Sequence, residues 1–80
     1  MENIMKTKYK YIYFIETEEL VINKKVWECR NNKTKDILSY IFYYKPWKEY
    51  CFTPREQGVV FNSGCLTDII DFIKQLNKAI

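Results

Sequence analysis

The sequence predicts an α+β fold, an antiparallel sheet of about four or five strands with one C-terminal helix packed on one face. Three observations carry this. Runs before Asn62 are dense in β-branched and aromatic residues, polar clusters and the two prolines punctuate them, and after Ser63 apolar residues recur at spacings of three and four. Eighty residues with no repeat and no low-complexity tract read as a single domain, 1–80. It divides into an N-terminal strand extension over 1–25, a β-meander over 26–62 and a helix over 63–79.

The elements follow in order. Tyr9 to Ile15 is nearly all aromatic or β-branched, and alternation puts Tyr9, Tyr11, Tyr13 and Ile15 on one face, with Lys8, Lys10, Ile12 and Phe14 on the other. Glu16 to Glu19 reads as a polar turn. Leu20 to Ile22 and Val26 to Asn31 then form either two short strands broken at Asn23-Lys24-Lys25 or one longer bent strand. Asn31 to Asp36 has hairpin-loop composition, and Ile37 to Tyr44 resumes with both faces apolar, as a central strand does.

Pro46 has no N–H and biases Lys45 to extended geometry, so Lys45-Pro46-Trp47 is the turn into a strand over Lys48 to Phe52, closed by Pro54. Val59 to Phe61 adds a last short strand. Ser63 is the expected N-cap. The helix places Leu66, Ile69, Ile70, Ile73 and Leu76 on one stripe, widened by Cys65 and Phe72.

Size and composition bound what such a fold can do. A chain this short buries roughly 60 to 65% of its unfolded surface, enough for one core but not for a deep enclosed pocket. Seven Tyr, five Phe and two Trp exceed what one thin core covers, so part of the aromatic surface belongs to an interface. Thirteen Lys and Arg against ten Asp and Glu give +3, which permits weak attraction to polyanions without requiring it. An apolar stretch such as Tyr11 to Ile15 is far too short to span a bilayer, and the opening residues lack the pattern of a signal peptide. A cytoplasmic protein with no membrane partner is the expectation, and Cys29, Cys51 and Cys65 then read as free thiols.

Chemistry finds little footing in these residues. With no histidine, neither a Ser-His or Cys-His partnership nor a Cys/His zinc site can be built. No glycine-rich phosphate loop occurs. Glu16, Glu18 and Glu19, or Asp68 and Asp71, sit where a solvated surface explains them. The expectation is a protein that is not an enzyme and carries no metal or cofactor.

Two surfaces remain as binding candidates. Tyr43, Tyr44, Trp47, Lys48 and Tyr50 cluster around the Lys45-Pro46 turn, and Trp and Tyr at a sheet edge are typical anchors for a protein partner. The alternative is a single-stranded nucleic-acid site on Lys8, Lys10, Tyr11, Lys24 and Lys25, where cations and flat rings interleave. Because one helix covers only part of a sheet, the remaining face is expected to pair with a second copy or another protein.

Three stretches, V-W-E-C-R-N from Val26, Y-x-P-W-K-x-Y-C-F-x-P from Tyr44 and G-V-V-F-N-S-G-C-L-T-D-I-I-D-F-I from Gly58, carry a resemblance. The chain resembles a family of small uncharacterised bacterial and phage (prophage) proteins over about two thirds of its length. The resemblance implies a phage or prophage context, in which proteins of this size act by binding, including inhibition of host defence systems. It transfers no catalytic residue. Met1 to Lys25 extends beyond that family's short form, as an added edge strand or a partner-binding arm.

Overall fold

Residues 5–79 are described by a computed structural model. Four strands, β1 (Ile12–Val21), β2 (Lys24–Asn31), β3 (Ile37–Tyr44) and β4 (Glu49–Pro54), form one antiparallel sheet in the order β1-β2-β3-β4, and one helix, α1 (Ser63–Ala79), closes the chain. The predicted fold class is the observed one. Residues 1–4 of the N-terminal extension, and Ile80, lie outside the described residues.

The chain prefers this meander because each connection is short and chemically specified. Val21 pairs with Lys24, so Ile22 and Asn23 alone make the first turn, both left-handed at φ 51° and 61°. That is the backbone a two-residue hairpin takes to match strand twist. The second turn is held by Asn31, whose Oδ1 accepts the N–H groups of Lys33 (2.8 Å) and Thr34 (3.1 Å). The third is a 3₁₀ turn over Lys45–Trp47 with Pro46 in its first turn and Lys48 left-handed at its end.

Several details differ from the sequence expectation, among them that Tyr9 to Tyr11 are not strand, since β1 begins at Ile12 and the residues before it fold back along its edge. Glu16 to Glu19 is strand, not turn: β1 bulges between Glu16 and Leu20, and Thr17 Oγ1 donates to Val26 O (2.8 Å), replacing the ladder bond the bulge removes. Val59 to Phe61 forms no strand and runs as an irregular connection. The helix is capped by Asn62 rather than Ser63, because Asn62 Oδ1 accepts the Cys65 N–H at 2.8 Å. Leu66 and Ile70 fall outside the buried stripe at 38% and 54% exposure; Ile69, Phe72 and Leu76 carry the packing.

Pairing sorts the strand residues into two faces. Phe14 is opposite Cys29, Cys29 opposite Ser39, and Ser39 opposite Pro54; one row along, Glu16, Trp27, Ile41 and Phe52 line up. These rows face α1, where Ile12, Phe14, Cys29, Ile41 and Tyr50 join Ile69, Phe72 and Leu76 in the core. The Phe72 ring anchors them, stacked on Phe14 (4.0 Å between centroids, 5° apart) and edge-on to Trp27 (5.1 Å).

The residues before β1 fold back along its outer edge. Phe14 N–H donates to Thr7 O (2.8 Å) and Lys8 bridges Tyr13, while the Asn32 side chain donates to Tyr9 O and Lys10 O, both at 2.9 Å. Gln75 of α1 completes the anchor by pairing its amide with the Lys6 backbone, accepting from its N–H (2.8 Å) and donating to its C=O (3.0 Å). Thus part of the open β1 edge is sealed, as edge strands require.

Candidate functional site: the open face of the sheet

The helix covers one face only. On the other, alternation places Val21, Lys24, Tyr44 and Glu49 in one row, Val26, Phe42 and Cys51 in the next, then Ile15, Glu28, Tyr40 and Thr53. A strand buried on one side and wet on the other carries polar residues outward; this one carries Tyr40, Phe42 and Tyr44. The row of rings continues off the strand end, since Phe42 meets Tyr44 edge-on at 6.1 Å and Tyr44 meets Trp47 edge-on at 5.1 Å. Trp47 is 67% exposed.

At the base of this face, Val26 is buried although it lies away from the core, because Glu19, Val21, Tyr40 and Phe42 stand around it. They enclose an open groove of about 230 Å³. The charges of the face are few and ordered. Arg30 is paired with Glu28 at 2.7 Å, leaving Glu19 and Glu49 at the Tyr44 end, where the Lys24 ammonium turns away over the Tyr43 ring (5.1 Å). Arg55 continues β4 at the other end, its N–H on Leu38 O (2.9 Å), near the end where Lys8 and Lys35 flank Tyr13. The Lys35 ammonium lies 5.2 Å from the Tyr13 ring.

The structure divides the five residues proposed for a protein partner. Tyr44 and Trp47 lie at the end of the open aromatic row, and Lys48 is an exposed, left-handed residue of the 3₁₀ turn. Tyr43 and Tyr50 point to the helix side, edge-on to each other at 5.6 Å, with Tyr50 only 8% exposed and its N–H donated to Asn77 Oδ1 (2.7 Å). Burial pushes the Tyr50 phenol above its ordinary pKa, with the nearby Glu16 charge adding to it. Tyr40, Phe42 and Val26 were missed. The signal was the alternation in β3 itself, but two apolar faces gave no means of telling which one the helix takes.

The basic set is divided more widely. Lys24 and Lys25 flank the first turn, while Lys10 and Tyr11 lie beyond the Ile12–Asn31 pair, about 23 Å away at a strand rise near 3.3 Å per residue, and Lys8, folded back, sits beside Tyr13 near that far end. Lys25 contacts Glu18 (3.6 Å), Lys24 sits over the Tyr43 ring (5.1 Å) and Lys10 over Tyr11 (5.2 Å). The five do not share one surface. Lys8 instead joins Lys35, Tyr13 and Asn32 around a shallow hollow of about 440 Å³.

Sheet addition has little room at β4. The backbone positions whose N–H would point along its outer edge are Tyr50, Phe52 and Pro54; Asn77 occupies the first N–H and proline lacks one. Among the described residues, no group of three or more His, Cys, Asp or Glu side chains is placed to hold a metal ion, and no helix is long and apolar enough to cross a membrane. No protein-family model, curated protein or solved structure matches the chain.

Proposed function

We propose that this protein is a non-enzymatic protein-binding module that docks its partner on the open face of the sheet. The observation that carries this reading is the uncovered row Tyr40, Phe42, Tyr44 and Trp47 over the Val26 groove. Rings held by neighbouring rings lose little freedom on binding, and Trp and Tyr are the residues that dominate protein interfaces. Glu19 and Glu49 around them disfavour a polyanion on the same surface. Together with the resemblance to phage and prophage proteins, this supports a host protein as the target, inhibition of a defence system as the role, and the cytoplasm as the location.

The hollow between Lys8 and Lys35 favours a second reading, a single-stranded nucleic acid held at that end by phosphate contact and stacking on Tyr13. One experiment separates the two. Tagged wild-type protein and the Phe42→Ser and Trp47→Ala variants are used to capture partners from host lysate, with and without nuclease. The module reading expects a host protein that survives nuclease and is lost with either variant. Capture that vanishes with nuclease and ignores both variants would replace it with the nucleic-acid reading.

A further inference from the structure

We infer that a second copy of this chain can occupy the open face, the two sheets packing face to face with their strand ends exchanged. The inference rests on the reading of that face as a contact surface and names what fits it. Area comes first: four strands about 4.8 Å apart and about 26 Å long give a plan of roughly 500 Å², which corrugated aromatic side chains raise towards the ~800 Å² per partner of a standard stable interface. Sheets stacked in this way settle about 10 Å apart, a distance that inward-facing rings fill.

Charge then selects the arrangement. The Tyr44 end of the face carries Glu19 and Glu49, with the Lys24 ammonium turned over the Tyr43 ring, and the opposite end carries Arg55 and the Lys8 and Lys35 ammonium groups. A two-fold axis lying in the interface along the strands would set β1 over β4 with like ends together, bringing Glu49 towards Glu19. An axis across the strands sets β4 over β4 with ends reversed. In that arrangement Glu49 faces Arg55 of the other copy and the reciprocal pair forms by symmetry, as an isologous interface requires.

The two ion pairs near the face do not oppose closure. Glu28 and Arg30 neutralise each other within one chain at 2.7 Å, so covering them strands no single charge. The Arg55 contact with Glu56 is between exposed neighbours, which contributes little and is readily exchanged. The helices end up outside, leaving the anchored Lys6 to Tyr9 segment and α1 unchanged.

Sedimentation equilibrium of the purified protein from about 1 to 200 μM tests this, with circular dichroism to verify each fold. The wild type is expected to dimerise within that range, Phe42→Glu to weaken dimerisation at least about tenfold, and Glu49→Arg to weaken it about threefold to tenfold. The Glu49→Arg/Arg55→Glu double variant is expected to return within about twofold of the wild type, because both symmetric pairs are restored with reversed sign. A wild type that is monomeric at 200 μM overturns self-pairing. If Phe42→Ser still abolishes capture of a host protein by that monomer, the binding-module reading stands alone. A dimer indifferent to Phe42→Glu overturns the face, and a dimer sensitive to Phe42→Glu but not rescued by the double variant overturns the end-exchanged arrangement.

Discussion

Phe72 of the helix lies flat on Phe14 of the first strand, their ring centroids 4.0 Å apart and their planes within 5° of parallel. Both rings are almost fully buried. This contact ties the C-terminal helix to the strand most distant in sequence, and the proposed interface depends on it, because it commits one sheet face to the core and leaves the other open. Phe72→Ala is expected to cost about 3–5 kcal/mol, most of the stability a domain of this size has. Urea unfolding monitored by circular dichroism measures it; a loss below about 1 kcal/mol would mean the helix is held elsewhere.

Ser39 is fully buried, and among the described residues its Oγ finds at most the weak Cys29 thiol as a partner. It stands opposite Cys29 in the ladder. A hydroxyl desolvated without a partner costs about 1–3 kcal/mol, and its removal leaves only a small void. Ser39→Ala is therefore expected to be neutral or to stabilise by up to about 1 kcal/mol in the same unfolding assay, unlike most core substitutions.

At the tip of the first hairpin Ile22 holds φ 51°, a left-handed conformation that a β-branched residue adopts at a cost of about 1–2 kcal/mol. Its side chain is exposed. Ile22→Asn keeps the turn and relieves the strain, so it is expected to raise stability by about 1 kcal/mol, read as an upward shift in the thermal midpoint.

Tyr9 couples the N-terminal segment to the helix, its Oη donating to Asp71 Oδ2 at 2.7 Å and accepting from Gln75 Nε2 at 3.1 Å. Burial first, then this bond to a carboxylate, hold the phenol well above the usual tyrosine pKa. Because the raised value belongs to the folded state, the stability it contributes is complete below the unfolded pKa near 10 and is lost as pH rises beyond it. Cys29, pushed from 9.0 up to about 11 by burial, acts in the same sense over that window. Wild-type stability is expected to fall from about pH 9 upward, and Tyr9→Phe to flatten the part of the fall above about pH 10. Urea midpoints at pH 7, 10 and 11 for both proteins check it; parallel declines would remove Tyr9 from the explanation.

The fold was legible because its signals are local. Period-two runs, the Asn31 to Asp36 loop, Pro46 and the apolar spacing after Ser63 each name an element directly. What stayed hidden required knowing the partner of a residue. Glu16 to Glu19 reads as a turn until the Thr17 hydroxyl finds Val26 O across the hairpin. Ser63 reads as a cap until the adjacent Asn62 side chain takes the Cys65 N–H. The site was half legible for a related reason. Tyr43 and Tyr44 are equivalent in sequence, and only the register with Tyr50 and Glu49 sends one towards the helix and the other to the open face.

The central claim is that the open face, and not another exposed apolar strip, is where this protein meets a partner. Hydroxyl-radical footprinting of the dilute protein and of the complex it forms tests it directly. Protection is expected at Tyr40, Phe42, Tyr44 and Trp47 in the complex, while Leu66 and Ile70 on the outside of the helix remain as reactive as in the free protein. Unchanged reactivity along the aromatic row, with protection of Leu66 and Ile70 instead, would contradict the account and move the interface to the helix.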